Sequence, residues 1–274
     1  MSLTLMYITN NPSVAMLAQK AGVDRIWVDM EYMGKEERQA GMNTVKSHHN
    51  LNDVATIREV VTDSALMVRV NPLHENSKAE IDGVIERGGE YIMLPMFKGV
   101  EDAQRFVDLV GGRAKTMLLI ETAEADAAAE EIAKVAGVDE IHIGLNDLHL
   151  AYKKKFMFEL LANGTVDRLS EIMQRNGKRF GFGGIARIGY GDLPAEHVIT
   201  EHYRLKSEMA ILSRGFCNAN AVKDVAEIEE IFLKGMQDIR AFERTLPAYT
   251  AEQFEENRKL VCEKVDLIVR RLSK

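Results

Sequence analysis

Cysteine is nearly missing from this chain: among 274 residues only Cys217 and Cys262 occur, with no C-x-x-C pair. That excludes a zinc ribbon or a thioredoxin-type redox motif and leaves two buried or neutral thiols in a reducing compartment. Long apolar runs are missing as well. No stretch approaches the roughly 18 apolar residues of a membrane span, and the start, MSLTLMYITNNPS, lacks a basic segment followed by an apolar one. A cytoplasmic protein without a membrane span is expected. There is no basic excess, with 35 Lys+Arg against 42 Asp+Glu and a net charge of −7. No nucleic-acid partner is therefore expected, whereas a small anionic substrate is compatible through local positive residues. No G-x-G-x-x-G follows the first apolar segment. The one glycine cluster, Gly181, Gly183 and Gly184 in FGFGG, has the wrong spacing for a dinucleotide site.

What is present is a recurring small unit, with no low-complexity linker to divide it. A helix-like stretch ends in glycine, a turn follows, and then a β-rich apolar run: AGVDRIWVDM (21–30), RGGEYIMLPM (87–96) and AGVDEIHIGL (136–145). Glycine suits the left-handed position that closes a helix, and the apolar run suits a strand buried on both faces. Further strands are expected at Leu5–Thr9, Ala65–Val70, Thr116–Glu121, Phe180–Ile185 and Met209–Ser213. Helix-period sequence lies between them at Ser13–Ala21, Leu51–Val61, Ser77–Glu86, Val100–Val110 and Ala125–Ala136. Eight alternating units predict an α/β fold, a closed (β/α)8 TIM barrel over residues 1–247. Two longer gaps, 31–64 and 147–179, leave room for extra structure after strands two and six.

An additional C-terminal helix, residues 248–274, carries Phe254, Val261, Val265, Ile268 and Leu272 on one seam. The spacing fits packing on its own barrel or on a neighbouring subunit. A homo-oligomer formed through this helix is the expectation. The aromatic segment 156–167 (FMFELLANGTVD) reads as a lid or an interface.

In a barrel of this kind chemistry sits at the carboxyl ends of the strands. Polar residues falling there are Asp29 and Glu31 after strand two, Arg69 and Asn71 at strand three, Glu121 at strand five, and Asn146 and Asp147 after strand six. Arg187 follows strand seven, and Ser213 and Arg214 follow strand eight. Carboxylates suit a hard divalent ion such as Mg2+ or Mn2+, with Co2+ as a third option. Arginines suit carboxylate or phosphate groups on a ligand.

Five segments then stand together in order: AGVDRIWVDME (21–31), MVRVNP (67–72), GGEYIMLPM (88–96), LLIETAEA (118–125) and GVDEIHIGLNDL (137–148). They resemble the HpcH/HpaI aldolase and citrate lyase family, the class II pyruvate aldolases, over roughly residues 5–150. The resemblance implies Glu121 and Asp147 as metal ligands and Arg69 as the residue holding the 2-oxo carboxylate end and balancing enolate charge. It implies that the main chain around Gly144, Leu145 and Asn146 faces the substrate carboxylate, and that Gly184 leaves space beside it. Lewis-acid stabilisation of an enolate requires no lysine Schiff base, so Lys98 after strand four reads as a solvated loop lysine.

One departure stands out. Aldolases of the family carry Glu-His after strand two, where this chain has Glu31-Tyr32; citrate-lyase-like members lack that histidine too. A tyrosine is a poor base at neutral pH. His49, in KSHHNLND beside His48, is the candidate general base in its place. Of the other histidines, His142 reads as core or barrel interior, His74 and His149 as solvated rim residues, and His197 and His202 have the wrong spacing for a zinc pair. Arg187 and Arg214 add cations and point to a substrate with more than one anionic group, or an acidic sugar.

The expected activity is divalent-metal-dependent carbon–carbon cleavage of a 4-hydroxy-2-oxo acid to pyruvate and an aldehyde through a metal-stabilised enolate. The alternatives are citrate-lyase-type cleavage of a 3-hydroxyacyl-CoA thioester and a barrel that binds an acidic ligand without turnover.

Overall fold

The computed structural model describes residues 2–34, 49–222 and 224–273. Eight parallel strands close on themselves in sequence order: β1 (Thr4–Ile8), β2 (Arg25–Asp29), β3 (Ala65–Arg69), β4 (Tyr91–Leu94), β5 (Lys115–Ile120), β6 (Glu140–Ile143), β7 (Arg179–Ile185) and β8 (Met209–Leu212), with β1 paired to β8. The barrel expectation holds. Each recurring unit closes its helix as its sequence suggested: Gly22, Gly88 and Gly137 have φ of 88°, 85° and 85°, a region that disfavours a Cβ.

The helices begin where local chemistry dictates. Asn11 accepts hydrogen bonds from the Ser13 and Val14 amides at the start of helix Pro12–Lys20, and Asn50 with Asp53 forms a reciprocal cap on helix Leu51–Val60. Helices Ser77–Glu86 and Val100–Val110 match their sequence patterns. The single helix expected over 125–136 is instead two five-residue helices, Ala123–Ala127 and Ala129–Ala133, the first capped by the Thr122 hydroxyl.

Alternation along the strands separates two cores. Outward residues such as Ile26, Val28, Leu66, Val68, Ile141 and Ile143 pack against the helices. Inward residues fill the barrel: Met6, Trp27, Met67, Met93, Met117, Leu119 and Met209 form a second cluster. Flexible thioethers suit an irregular interior around one large ring. The amino-terminal end is plugged by charge. Arg25 makes a two-pronged pair with Glu140 (2.5 and 2.8 Å), which also receives Arg179, and the Arg25 guanidinium lies 3.7 Å over the Tyr91 ring.

Helix Ala251–Leu272 packs on its own barrel. Asn257, Val261, Val265 and Ile268 are buried, and Asn257 donates to the His197 carbonyl (3.1 Å) and the Glu201 carboxylate (2.8 Å) of helix Ala195–Arg204. Leu272, expected on the seam, is exposed, as are Leu260 and Leu267. The 156–167 segment is not an exposed aromatic lid: Phe158, Leu160 and Leu161 are buried. Among the described residues no helix is long and apolar enough to cross a membrane.

Candidate functional site

The inward parity that fills the barrel also aims residues at its carboxyl-terminal mouth. Asp29 and Arg69 are register partners across β2 and β3. The Arg69 Nε and Nη2 donate to Asp29 Oδ1 and Oδ2, both at 2.8 Å, and Nη1 lies 3.3 Å from Glu31 Oε2. Its guanidinium sits 5.1 Å from the Trp27 ring centroid. Burial pulls the Arg69 pKa down, but Asp29, Glu31 and, less strongly, Glu121 outweigh it, so the net shift is upward and the group stays charged.

Glu121 follows β5 and is 3% exposed. Burial pushes its carboxyl well above the usual range, Asp147 and Glu31 add to this, and Arg69 and the Met96 amide oppose it. That amide donates to Glu121 Oε1 at 3.0 Å from a residue with φ of 53°. A left-handed non-glycine costs about 1–2 kcal/mol, a strain retained here at the carboxylate. On the other side, a Cβ on Gly144 would lie 2.9 Å from Glu121 Cβ and 3.0 Å from Oε2. Only glycine lets the start of helix Leu145–Ala151 approach so closely, and Asp147 stands in that helix's first turn.

These groups share one cavity of about 310 Å3, lined by Asp29, His49, Arg69, Glu121, Gly144, Leu145, Asn146, Asp147, Gly184 and Arg214, with Trp27 and His142 also on its wall. Glu31 and Tyr32 are not among its lining residues: Glu31 is buried behind Arg69, and the Tyr32 side chain is 62% exposed. Arg187 is also outside the lining, because its guanidinium folds back over the Tyr190 ring at 4.2 Å. Lys98 is exposed beside Glu124, as expected of a loop lysine.

His49 reaches the cavity in the tautomer of a donor. The Asp29 amide donates to its Nδ1 at 3.0 Å, which places the proton of the neutral ring on Nε2. A neutral ring in this tautomer presents a donor to the cavity. His48 lies outside the described residues.

Of the other histidines, His149 and His74 differ from expectation and His142 matches it. His149 is buried rather than solvated, with Nδ1 3.2 Å from the Leu145 carbonyl. His74 is half-buried beside Glu80. His142 points into the barrel, its Nε2 donating to the Gly183 carbonyl at 3.2 Å, and burial lowers its pKa to about 4. Asp29 was placed at the strand end without a role, and Trp27 was missed as a site residue. The available signal was parity: both share the inward register of Arg25 in RIWVD.

Among the described residues no three His, Cys, Asp or Glu side chains gather closely enough to enclose a metal ion. The rim offers a pair, Glu121 and Asp147, both hard oxygen donors. Asp147, half-buried, adds to the rise of the buried Glu121 carboxyl, a like-charge conflict that a shared cation relieves, and two protein carboxylates plus a chelating substrate are a fitting donor set for Mg2+ or Mn2+. The donor chemistry therefore fits a divalent ion.

Comparisons with known proteins bear on the fold and the family. No curated protein matches the sequence. Similar solved structures include an HpcH/HpaI aldolase from Desulfitobacterium hafniense DCB-2, with 16% identity, 87% of this chain and 93% of that one covered, and a TM-score of 0.60. A family protein from Burkholderia cenocepacia J2315 has 15% identity, coverage of 87% and 95%, and a TM-score of 0.62. The citrate synthase SbnG has 18% identity, coverage of 78% and 87%, and a TM-score of 0.60. At these identities the likeness shows the fold. The model of the HpcH/HpaI aldolase/citrate lyase family matches residues 3–158. With more than half its length matched, the chain belongs to the HpcH/HpaI aldolase/citrate lyase family, whose members are lyases.

Proposed function

We propose that this chain is a divalent-metal-dependent aldolase that cleaves a 4-hydroxy-2-oxo acid to pyruvate and an aldehyde. The observation that carries the reading is the meeting of Glu121 and Asp147 in one cavity with Arg69. An ion held by that pair, Mg2+ or Mn2+ with Co2+ as a third option, supplies Lewis-acid polarisation of the 2-oxo group.

The chain's own residues do the rest. Arg69, locked by Asp29, keeps a fixed positive charge beside the oxyanion that develops as the C3–C4 bond breaks; preorganised charge of this kind is worth most in a partly dry site. His49 offers a neutral Nε2–H to the same oxygens. The main chain at Gly144, Leu145 and Asn146 faces the substrate carboxylate, Gly184 leaves room beside it, and Arg214 supports a second anionic group on the β8 side. Arg187, stacked on Tyr190, is dropped from the substrate contacts.

The reading includes a homo-oligomer formed through the outer face of helix Ala251–Leu272, where Leu260 and Leu267 stand exposed one heptad apart. Sedimentation velocity tests it: a Leu260→Lys, Leu267→Lys double variant is expected to dissociate, and an unchanged sedimentation coefficient contradicts it.

Pyruvate in D2O tests the chemistry. Methyl proton exchange followed by NMR is expected with Mg2+, Mn2+ or Co2+, to vanish with a chelator, and to vanish in Glu121→Gln. Absence of exchange with every metal overturns the reading.

A further inference from the structure

The Glu121 carboxylate is held by a main-chain amide, and the residue next to Glu121 holds the segment that carries that amide. Met96, just past β4, donates its N–H to Glu121 Oε1 at 3.0 Å. Its φ of 53° is a left-handed conformation that an L side chain rarely adopts. Its neighbours keep it there. Pro95 precedes it with a φ fixed by the ring. Phe97 follows it, buried, and the Phe97 carbonyl accepts a 2.8 Å hydrogen bond from the hydroxyl of Thr122, which is buried as well.

That hydroxyl works in two directions. Its oxygen accepts from the Ala125 amide at 3.1 Å and so caps helix Ala123–Ala127, while its hydrogen goes to Phe97. A cap alone needs only an acceptor. Reaching the β4 loop as well needs a donor on the same atom, which a hydroxyl supplies. Glu121 and Thr122 therefore close a ring with Met96 and Phe97, carboxylate to amide and hydroxyl to carbonyl.

The ring sorts the two oxygens of Glu121. Oε1 is taken by Met96, which does not line the cavity. Oε2 lies on the side of Gly144, which does: a Cβ on Gly144 would stand 3.0 Å from it. Asp147 follows in the first turn of helix Leu145–Ala151. We propose that Thr122 is a positioning residue for the metal-binding carboxylate: by holding Phe97, and with it the Met96 amide, it keeps Oε1 engaged and Oε2 turned to the side of Asp147. This rests on the reading of Glu121 and Asp147 as the pair that holds the ion.

Mn2+ titrated calorimetrically into the full chain tests the assignment in four proteins. The unmodified protein is expected to bind the ion. Thr122→Val, close in shape but without the hydroxyl, is expected to bind it at least about tenfold more weakly. Thr122→Ser, which returns the hydroxyl, is expected to recover the affinity. Asn257→Ala, remote on the C-terminal helix and destabilising in its own right, is expected to bind as the unmodified protein does, which separates lost positioning from lost stability. Equal affinity in the unmodified protein and Thr122→Val overturns the inference and leaves the metal pair intact; so does equal weakening in Thr122→Ser or in Asn257→Ala. No Mn2+ binding by the unmodified protein overturns the metal reading and this inference with it. Should Thr122→Val not fold, amide hydrogen exchange followed by NMR in the unmodified protein decides the matter. The Met96 amide is expected to stay protected on saturation with Mg2+, and loss of that protection overturns the sorting of the two oxygens.

Discussion

Arg69 and Asp29 face each other across two adjacent strands and are joined by two parallel hydrogen bonds of 2.8 Å. Because both are almost fully enclosed, the pair fixes the guanidinium before any ligand arrives. Replacing Arg69 by Met removes the two-pronged cation from Asp29 and the neighbouring charge from Glu31, both buried. The expected loss is about 3–5 kcal/mol in urea unfolding, together with loss of lyase activity. Arg69→Lys keeps the charge but not the fork, and is expected to recover stability more than turnover.

Gly144→Ala places a methyl group 2.9 Å from Glu121 Cβ and 3.0 Å from its Oε2. The carboxylate has to move, because the other neighbour, Leu119 Cδ1, would be 3.1 Å away. Mn2+ affinity measured by calorimetry is expected to fall by about tenfold or more, with the far-ultraviolet circular dichroism unchanged. Retained affinity means that Glu121 does not bind the ion.

His142 sets a pH limit. Burial lowers its folded-state pKa from 6.5 to about 4. Between those values the unfolded chain takes up a proton that the folded chain refuses. The contribution is complete above about pH 6.5 and is lost progressively down to pH 4, by about 3 kcal/mol. Urea midpoints across this window are expected to fall more steeply for the native protein than for His142→Phe. Parallel slopes contradict the assignment.

Asn257 on the C-terminal helix binds the His197 carbonyl and the buried Glu201 carboxylate, and its Oδ1 lies 2.7 Å from His197 Nδ1. Asn257→Ala removes all three contacts at once. The expected cost is about 1–3 kcal/mol, read as a lower unfolding midpoint.

Much of this was legible in the sequence because periodicity is local. The three glycine-closed units marked β2, β4 and β6, and the positions of Glu121 and Asp147 followed from where β5 and β6 end. The Asp29–Arg69 pairing was not read, because it depends on strand register across 40 residues. Parity alone would have supplied it: Arg25, Trp27 and Asp29 alternate with Ile26 and Val28, which face the helices. His49 was found as a cavity residue, but its tautomer was invisible, since an amide at the end of β2 decides it. Arg187 misled because a residue two positions past a strand can fold onto a neighbouring ring instead of into the mouth.

The central claim is that Glu121 and Asp147 together hold one divalent ion at the cavity. Electron paramagnetic resonance of Mn2+ titrated into the protein measures this directly. The account predicts one bound Mn2+ per chain, lost in Glu121→Gln and again in Asp147→Asn. Undiminished Mn2+ binding in both variants contradicts it.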